Sequence, residues 1–223
     1  MLAKNPGFAF VAILTLAVGI GSATVVFSAI KTILMNPLPM VQDQSRLVHI
    51  SETAYARGHS DMGLGYEDFV DIRERMTSFE GVWTHSDRTI VITTTQTEPE
   101  RLLGNEISEG AFGHLGLEPL HGRTFTAADH VFGAPHVAVL SYGVWQRRFG
   151  GDPHVVGRIV HLNGRPTTLV GVMPKGVVYP RSSDIWVPQR QDPSKNNMRG
   201  SYYLTGNAKL KRGVTLEQAQ AEA

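Results

Sequence analysis

Arg158-Ile-Val-His-Leu-Asn163-Gly164-Arg-Pro-Thr-Thr-Leu-Val-Gly-Val172 contains the clearest local signal in the chain, an Asn-Gly pair between two runs of β-forming residues. A type I′ turn requires positive φ at both of its central residues, which Asn and Gly tolerate better than other residues. We therefore predict a hairpin in which residues 158–162 pair antiparallel with residues 165–170. Asn163 and Gly164 should occupy the two central positions of the turn.

The residues just before this hairpin predict a strand followed by a helix. The run Val137–Leu140 is apolar throughout, as in a buried strand. Ser141 offers an N-cap and Gly150 a C-terminal stop for a helix that carries Trp145 and Phe149 on one face.

Working outward in both directions, hydrophobic periodicity and capping residues predict an α+β domain. Thr215 and Gln218 have the spacing of a capping box. The remaining predicted elements are strands at 46–51, 89–95, 101–107 and 202–210, a helix from Tyr66, a short helix at 108–115 that stops at Gly116, and a last helix from Thr215.

The start of the chain is an apolar segment without a charged residue from Asn5 to Ile30. At about 1.5 Å per residue such a helix is long enough to cross a hydrocarbon core of about 30 Å. We predict a transmembrane helix within residues 1–36, retained in the mature protein. A cleaved signal peptide ending near Gly21-Ser22-Ala23 and a buried helix of a soluble protein are the alternatives. Small residues at Ala17, Gly19, Gly21 and Ala23 suit contact with another membrane helix, or simply reflect the usual composition of such helices.

The charge distribution argues against a nucleic-acid partner. The formal net charge is +1, and the first 40 residues contain two lysines and no acidic residue, so the rest of the chain is one charge negative. Small basic groups at Arg147-Arg148 and at Lys209, Lys211 and Arg212 are typical of a solvated face.

No catalytic or ligand-binding motif is evident, and we predict no catalytic, cofactor-binding or metal-binding residue. The chain has no cysteine, P-loop, G-x-S-x-G or H-E-x-x-H sequence. Gly19-Ile-Gly21 lacks the third glycine of a dinucleotide loop, and Asp68 and Asp71 form an i, i+3 pair of the kind that is usually solvated. Three tryptophans, Trp83, Trp145 and Trp186, are expected in the core. Six histidines are scattered without metal-ligand spacing: His114, His121, His130, His136, His154 and His161.

Several segments, in order, resemble bacterial ABC-transporter permeases of the macrolide-exporter type (MacB/FtsX-like), in particular the large permeases abundant in acidobacteria. K-N-P-G-F, L-T-L-A-V-G-I-G and N-P-L-P resemble the first membrane helix of that family and its flanks. The rest resembles its periplasmic core domain, through F-G-H-L-G-L-E-P-L-H-G-R-T-F (112–125), V-A-V-L-S-Y-G-V-W-Q-R-R-F-G-G-D-P (137–153), V-V-G-R-I-V-H-L-N-G (155–164), L-V-G-V-M-P (169–174), D-I-W-V-P (184–188) and A-K-L-K-R-G-V-T-L-E-Q-A-Q (208–220).

The resemblance implies a fold with two parts after the membrane helix. Residues 37–223 would form the periplasmic core domain. Its porter-like α/β part would comprise about 41–103 and 202–223, with a mainly β part inserted at about 104–188. The last predicted helix has no terminating residue, so the chain is expected to be truncated at its C-terminus.

The resemblance also implies a function without catalysis. The domain would relay movement driven by a separate cytoplasmic ABC ATPase, in a complete permease that has further membrane segments and forms a homodimer in the inner membrane. The alternative is a self-contained, membrane-anchored or secreted binding module. A hydrolase is a third reading, which lacks a nucleophile or paired acids in context.

Overall fold

The computed structural model describes residues 6–30, 40–54, 59–94, 98–195 and 201–222, which belong to two compact units, Met1–Pro39 and Met40–Ala223. In the first unit, helix α1 extends from Pro6 to Ile30, so the apolar segment is helical as predicted. Among the described residues, no helix meets the combined length and apolarity of a membrane span. The transmembrane anchor stays a prediction, and its expected end at 31–36 lies outside the described residues.

The second unit is a mixed α+β domain with a large sheet and a separate two-stranded sheet. Its described helices are α2 (Tyr66–Arg75), α3 (Ala111–His114), α4 (Tyr142–Phe149) and α5 (Leu216–Glu222). Its described strands are β1 (Leu47–Ile50), β2 (Glu52–Ala54), β3 (His59–Met62), β4 (Phe79–Thr93), β5 (Glu100–Ile107), β6 (His121–Gly122), β7 (Val137–Leu140), β8 (Ile159–Leu162), β9 (Arg165–Val172), β10 (Ile185–Pro188) and β11 (Thr205–Leu210).

Part of the large sheet closes on itself. Its strand order is β1-β11-β4-β5-β10-β7-β9-β6, and β8 pairs with both β9 and β4. The strands β4, β5, β10, β7, β9 and β8 therefore form a closed six-stranded ring, a small β-barrel. Strand pairs in this ring are antiparallel except for β5 with β10 and β7 with β9.

The predicted hairpin is confirmed and completes this barrel. Leu162 pairs with Arg165, and the central residues Asn163 and Gly164 have φ of 50° and 78°, as in a type I′ turn. Asn163 also connects the hairpin to β4, because its Oδ1 accepts from the Val91 N–H and its own N–H donates to the Val91 carbonyl, each at 2.9 Å.

Two further local predictions are confirmed. The Ser141 hydroxyl accepts from the Val144 N–H at 3.3 Å, and α4 ends at Gly150 with φ of 61°. The Thr215 N–H donates to Gln218 Oε1 at 2.9 Å while Thr215 Oγ1 accepts from the Gln218 N–H at 3.3 Å, so both halves of the capping box form.

Two elements differ from their predicted bounds. The strand expected at 89–95 is the end of the 15-residue β4, whose residues before Thr89 include Glu80, Gly81 and Asp87, which have low β-propensity. Pairing with β11 and β5 stabilises them instead. The helix expected at 108–115 shortens to the four residues of α3, because Gly110 before it has a left-handed φ of 77°.

Two separate hydrophobic clusters lie among the described residues of the domain. One fills the barrel and packs against α4, and its residues include Ile90, Ile92 and Leu102. The other joins α2 to β4 and β11. Its buried residues are Leu64, Phe69, Val82, Leu204 and Ala208.

Candidate functional site

The six scattered histidines lie in different surroundings. His114 stacks on Trp83 with ring centroids 5.6 Å apart, and His121 meets the edge of Trp145. His130 Nδ1 lies 3.0 Å from the Gln189 carbonyl, whereas His154 and His161 are exposed. Within the described part of the chain, no three His, Cys, Asp or Glu side chains are grouped to hold a metal ion.

The three tryptophans are core residues, as predicted, with exposed fractions between 0% and 6%. Each indole N–H has an acceptor: Trp83 donates to the Tyr179 hydroxyl at 2.7 Å, Trp145 to the Asp152 carbonyl, and Trp186 to the Tyr179 carbonyl. The indole donors are therefore satisfied inside the core.

Two of the basic residues expected on a solvated face are buried instead. Arg148 is 6% exposed and donates to Glu100 at 2.9 Å. Lys209 is 9% exposed, and its Nζ donates to the His114 carbonyl at 3.2 Å. Of the acidic pair, Asp71 contacts Arg75 at 3.5 Å, while Asp68 lies beside Glu52. Burial and then the Asp68 charge raise the pKa of Glu52.

A buried polar group surrounds His85 on β4. Asn207 Nδ2 lies 3.1 Å from His85 Nδ1, and the Tyr179 hydroxyl lies 3.4 Å from the same nitrogen. Burial lowers the pKa of His85 to about 4 and raises that of Tyr179. Both side chains are therefore neutral at pH 7, and this group is suited to hold β4, β11 and the segment before β10 together rather than to transfer protons.

A cleft lies at the end of the barrel opposite α4. The helix is joined to the start of β10, since the Ser141 N–H donates to the Asp184 carbonyl and Arg147 contacts the Asp184 carboxylate at 3.1 Å. The cleft opens at the other end of β10 and has a volume of about 700 Å³. All six barrel strands or their ends line it: Arg88, Thr89, Ile90, Glu106, His136, Val137, Leu162, Asn163, Arg165, Thr167, Val187 and Pro188.

A split between two strands opens the cleft. β10 pairs with β7 only through Ile185 and Trp186. Beyond these, Val187 and Pro188 stay paired with β5, while Val137 and Ala138 stay paired with β9. The strands diverge at this point, and the apolar side chains of the barrel become the floor of the cleft.

The rim of the cleft is basic. Arg88 pairs with Glu106 at 2.9 Å. The Arg190 guanidinium is held by three carbonyls, those of Asp129, Ala134 and Pro135, at 2.7 to 2.8 Å. These contacts fix its position without neutralising its charge.

The family is decided by a sequence comparison. The model of the MacB-like periplasmic core domain matches residues 9–223. The chain belongs to this family. The resemblance to the MacB-like periplasmic core domain is thereby confirmed, and the family supports a role as a component of a transporter permease.

Solved structures of transporter domains share the fold of this domain. The extracellular domain of the noncanonic ABC-type transporter YknZ from Gram-positive bacteria is 18% identical, with a TM-score of 0.56 over 79% of this chain and 86% of that chain. The periplasmic region of MacB from Actinobacillus actinomycetemcomitans is 16% identical, with a TM-score of 0.58 over 82% of this chain and 85% of that one. No curated protein matches the chain.

Sequence reasoning about this MacB-like domain missed the cleft. It predicted no site residue, and of the residues lining the cleft it had considered only His136 as a possible ligand. The arginines that line the cleft are Arg88, Arg165 and Arg190. They lie in separate segments with no shared spacing, so no sequence motif could indicate them. The closure of the barrel brings them to one end of the domain.

Proposed function

We propose that the domain is the extracytoplasmic part of an ABC-transporter permease subunit and relays ATPase-driven movement to substrates or partner proteins outside the membrane. The family match over residues 9–223 carries this proposal. In it, α1 anchors the domain in the bacterial inner membrane, a separate cytoplasmic ATPase supplies the movement, further permease segments complete the protein, and the complete permease is a homodimer.

The connection between α5 and β4 supports a mechanical role. The Glu222 carboxylate at the end of α5 accepts from the Thr77 N–H at 2.6 Å, from the Thr77 hydroxyl at 2.7 Å and from the Ser78 N–H at 2.9 Å. These residues directly precede β4. A displacement of α5 would therefore act on the beginning of that strand.

β4 extends from there into the barrel. Its first half pairs with β11, and its second half pairs with β5 and β8. β11 pairs with this strand up to His85 and β5 pairs with it from His85 onward, so movement at Phe79 would reach Thr93 along one continuous 15-residue strand. This path needs no chemical step, and we assign no catalytic role to the domain.

The location of the domain can be tested by cysteine labelling, because the chain has no cysteine of its own. Glu118 is exposed, and Ala138 is fully buried in the barrel. In cells with a permeabilised outer membrane, a membrane-impermeant maleimide should label E118C without lysis. The matched variant A138C should be labelled only after denaturation.

Labelling of E118C that requires cell lysis would place the domain in the cytoplasm and refute the proposal. Carbonate extraction of the same cells tests the anchor separately. The chain should remain in the membrane pellet, whereas a soluble product beginning near Thr24 would show that the apolar segment is a cleaved signal peptide.

A further inference from the structure

We propose that the cleft at the open end of the barrel is a binding site for an amphipathic anion, a molecule with an apolar body and one carboxylate-like head group. The proposal concerns the cleft alone and holds whether or not the domain relays movement.

The dimensions and position of the cleft are those of a ligand site. Its volume of about 700 Å³ falls within the range of about 300–1,000 Å³ for small-molecule sites, which often occur in the mouths of β-barrels. The other end of the barrel is covered by α4, whose Val144 and Trp145 belong to the barrel core. A ligand would therefore enter and leave through the basic rim.

The floor of the cleft is apolar. Ile90, Val137 and Leu162 line it and are 4%, 7% and 6% exposed, and the half-buried Val187 adds to one wall. Phe132 lines the cleft as well and is 55% exposed, so its ring offers apolar surface to a ligand. The apolar body of a ligand would rest on this floor, and its contact with Phe132 would remove the exposed part of that ring from water.

The rim supplies an excess of positive charge. Arg88, Arg165 and Arg190 line the cleft with one acidic residue, Glu106, which is already paired with Arg88. Although burial lowers the pKa of Arg190, a guanidinium remains charged at neutral pH. Burial and the charges of Arg190 and Arg165 lower the pKa of His136, so that this imidazole stays neutral beside them.

Arg165 is the residue best placed to bind the head group. It directly follows the hairpin turn, and no carboxylate pairs with it among the residues that the structure describes. Guanidinium groups bind carboxylates through two parallel N–H···O bonds, a geometry that an ammonium group cannot match. A cation of the same shape would be repelled, and a neutral molecule would gain only the apolar contacts.

The test is isothermal titration of the full chain, held in a non-ionic amphipol that carries no carboxylate, with octanoate as the probe. Octanol and octylammonium are isosteric controls, and inorganic phosphate tests for a site that takes any anion. Octanoate should bind saturably with one site per chain and more tightly than all three. Affinity should rise about fourfold per methylene from butyrate to octanoate, because each buried CH₂ contributes about 0.8 kcal/mol.

Two arginine variants of equal charge identify the site. R165Q should weaken octanoate binding about tenfold, the effect of losing one charge-assisted contact. R101Q removes an exposed arginine on β5 that does not line the cleft and should bind octanoate like the parent chain. A probe that only partitions into the amphipol would give the same titration curve with R165Q and with R101Q.

Three outcomes would overturn the proposal. They are equal affinity for octanoate and octanol or octylammonium, equal losses in R165Q and R101Q, and phosphate binding as tight as octanoate binding. None of these results would affect the membrane topology measured by cysteine labelling, so failure here is distinguishable from failure of the transporter role.

Discussion

Replacing Gly164 by alanine tests the turn that completes the barrel. Gly164 has φ of 78°, and a Cβ built there would have no heavy atom within 4 Å. The substitution therefore adds no clash, and its whole cost is the left-handed backbone of an L-residue, about 1–2 kcal/mol. For a chain of this size we expect G164A to lower the melting temperature by about 2–8 °C.

Gly113 provides a matched control for this substitution. It lies in α3, its Cβ position is also open, and its φ is not left-handed. G113A should stabilise the domain by about 0.4–1 kcal/mol, because alanine restricts the unfolded chain. Both variants are compared by thermal and urea unfolding, followed by tryptophan fluorescence. A neutral or stabilising effect of G164A, with G113A behaving as expected, would refute the assignment of backbone strain to this turn.

Two predictions concern pH. Because burial lowers the pKa of His85 from 6.5 to about 4, the unfolded chain binds the proton first, and stability should fall as pH drops from 6.5 to 4, by up to about 3 kcal/mol. In H85Q, the free energy of unfolding measured with urea should lose this part of its dependence on pH. An unchanged pH dependence would contradict the role of burial. Hydrogen bonds from the N–H and O–H groups of Ser78 and Thr77 lower the pKa of Glu222 to about 2. The ionised Glu222 carboxylate therefore stabilises the folded domain above pH 4.5, and this contribution is lost as pH falls to 2. E222Q should reduce the melting temperature at pH 7 but not at pH 2, and it should accelerate hydrogen exchange at Thr77 and Ser78. The control E118Q, at an exposed position, should have neither effect. Equal effects of E222Q at both pH values would show that another contact holds α5.

The elements that sequence predicted well are those specified by adjacent residues. Asn163-Gly164 determines its turn through backbone preference, Ser141 and Gly150 determine the ends of α4, and Thr215 with Gln218 caps α5. In each case the interacting groups are separated by fewer than ten positions, so a pattern read along the chain contains the whole interaction.

The elements that sequence missed depend on distant partners. The first part of β4 contains Glu80 and Gly81 and becomes a strand because β11, about 120 residues later, pairs with it. α3 is shorter than predicted because Gly110 has a left-handed φ of 77°, a conformation that the sequence pattern did not indicate. The basic cleft was equally invisible, since Arg88, Arg165 and Arg190 converge only after the barrel closes.

Closure of the barrel and construction of the cleft depend on the same hairpin. β8 joins β4 through only two residue pairs, Leu162 with Ile92 and His161 with Thr93, and Asn163 extends this junction by bonding to Val91. The turn that brings Asn163 to β4 also places Arg165 on the rim, because only Gly164 separates the two. Strain at Gly164 should therefore weaken octanoate binding as well as stability. In the proposed relay, movement along β4 would reach this junction last. Displacement of the strand would then change the width of the cleft where the anion is bound.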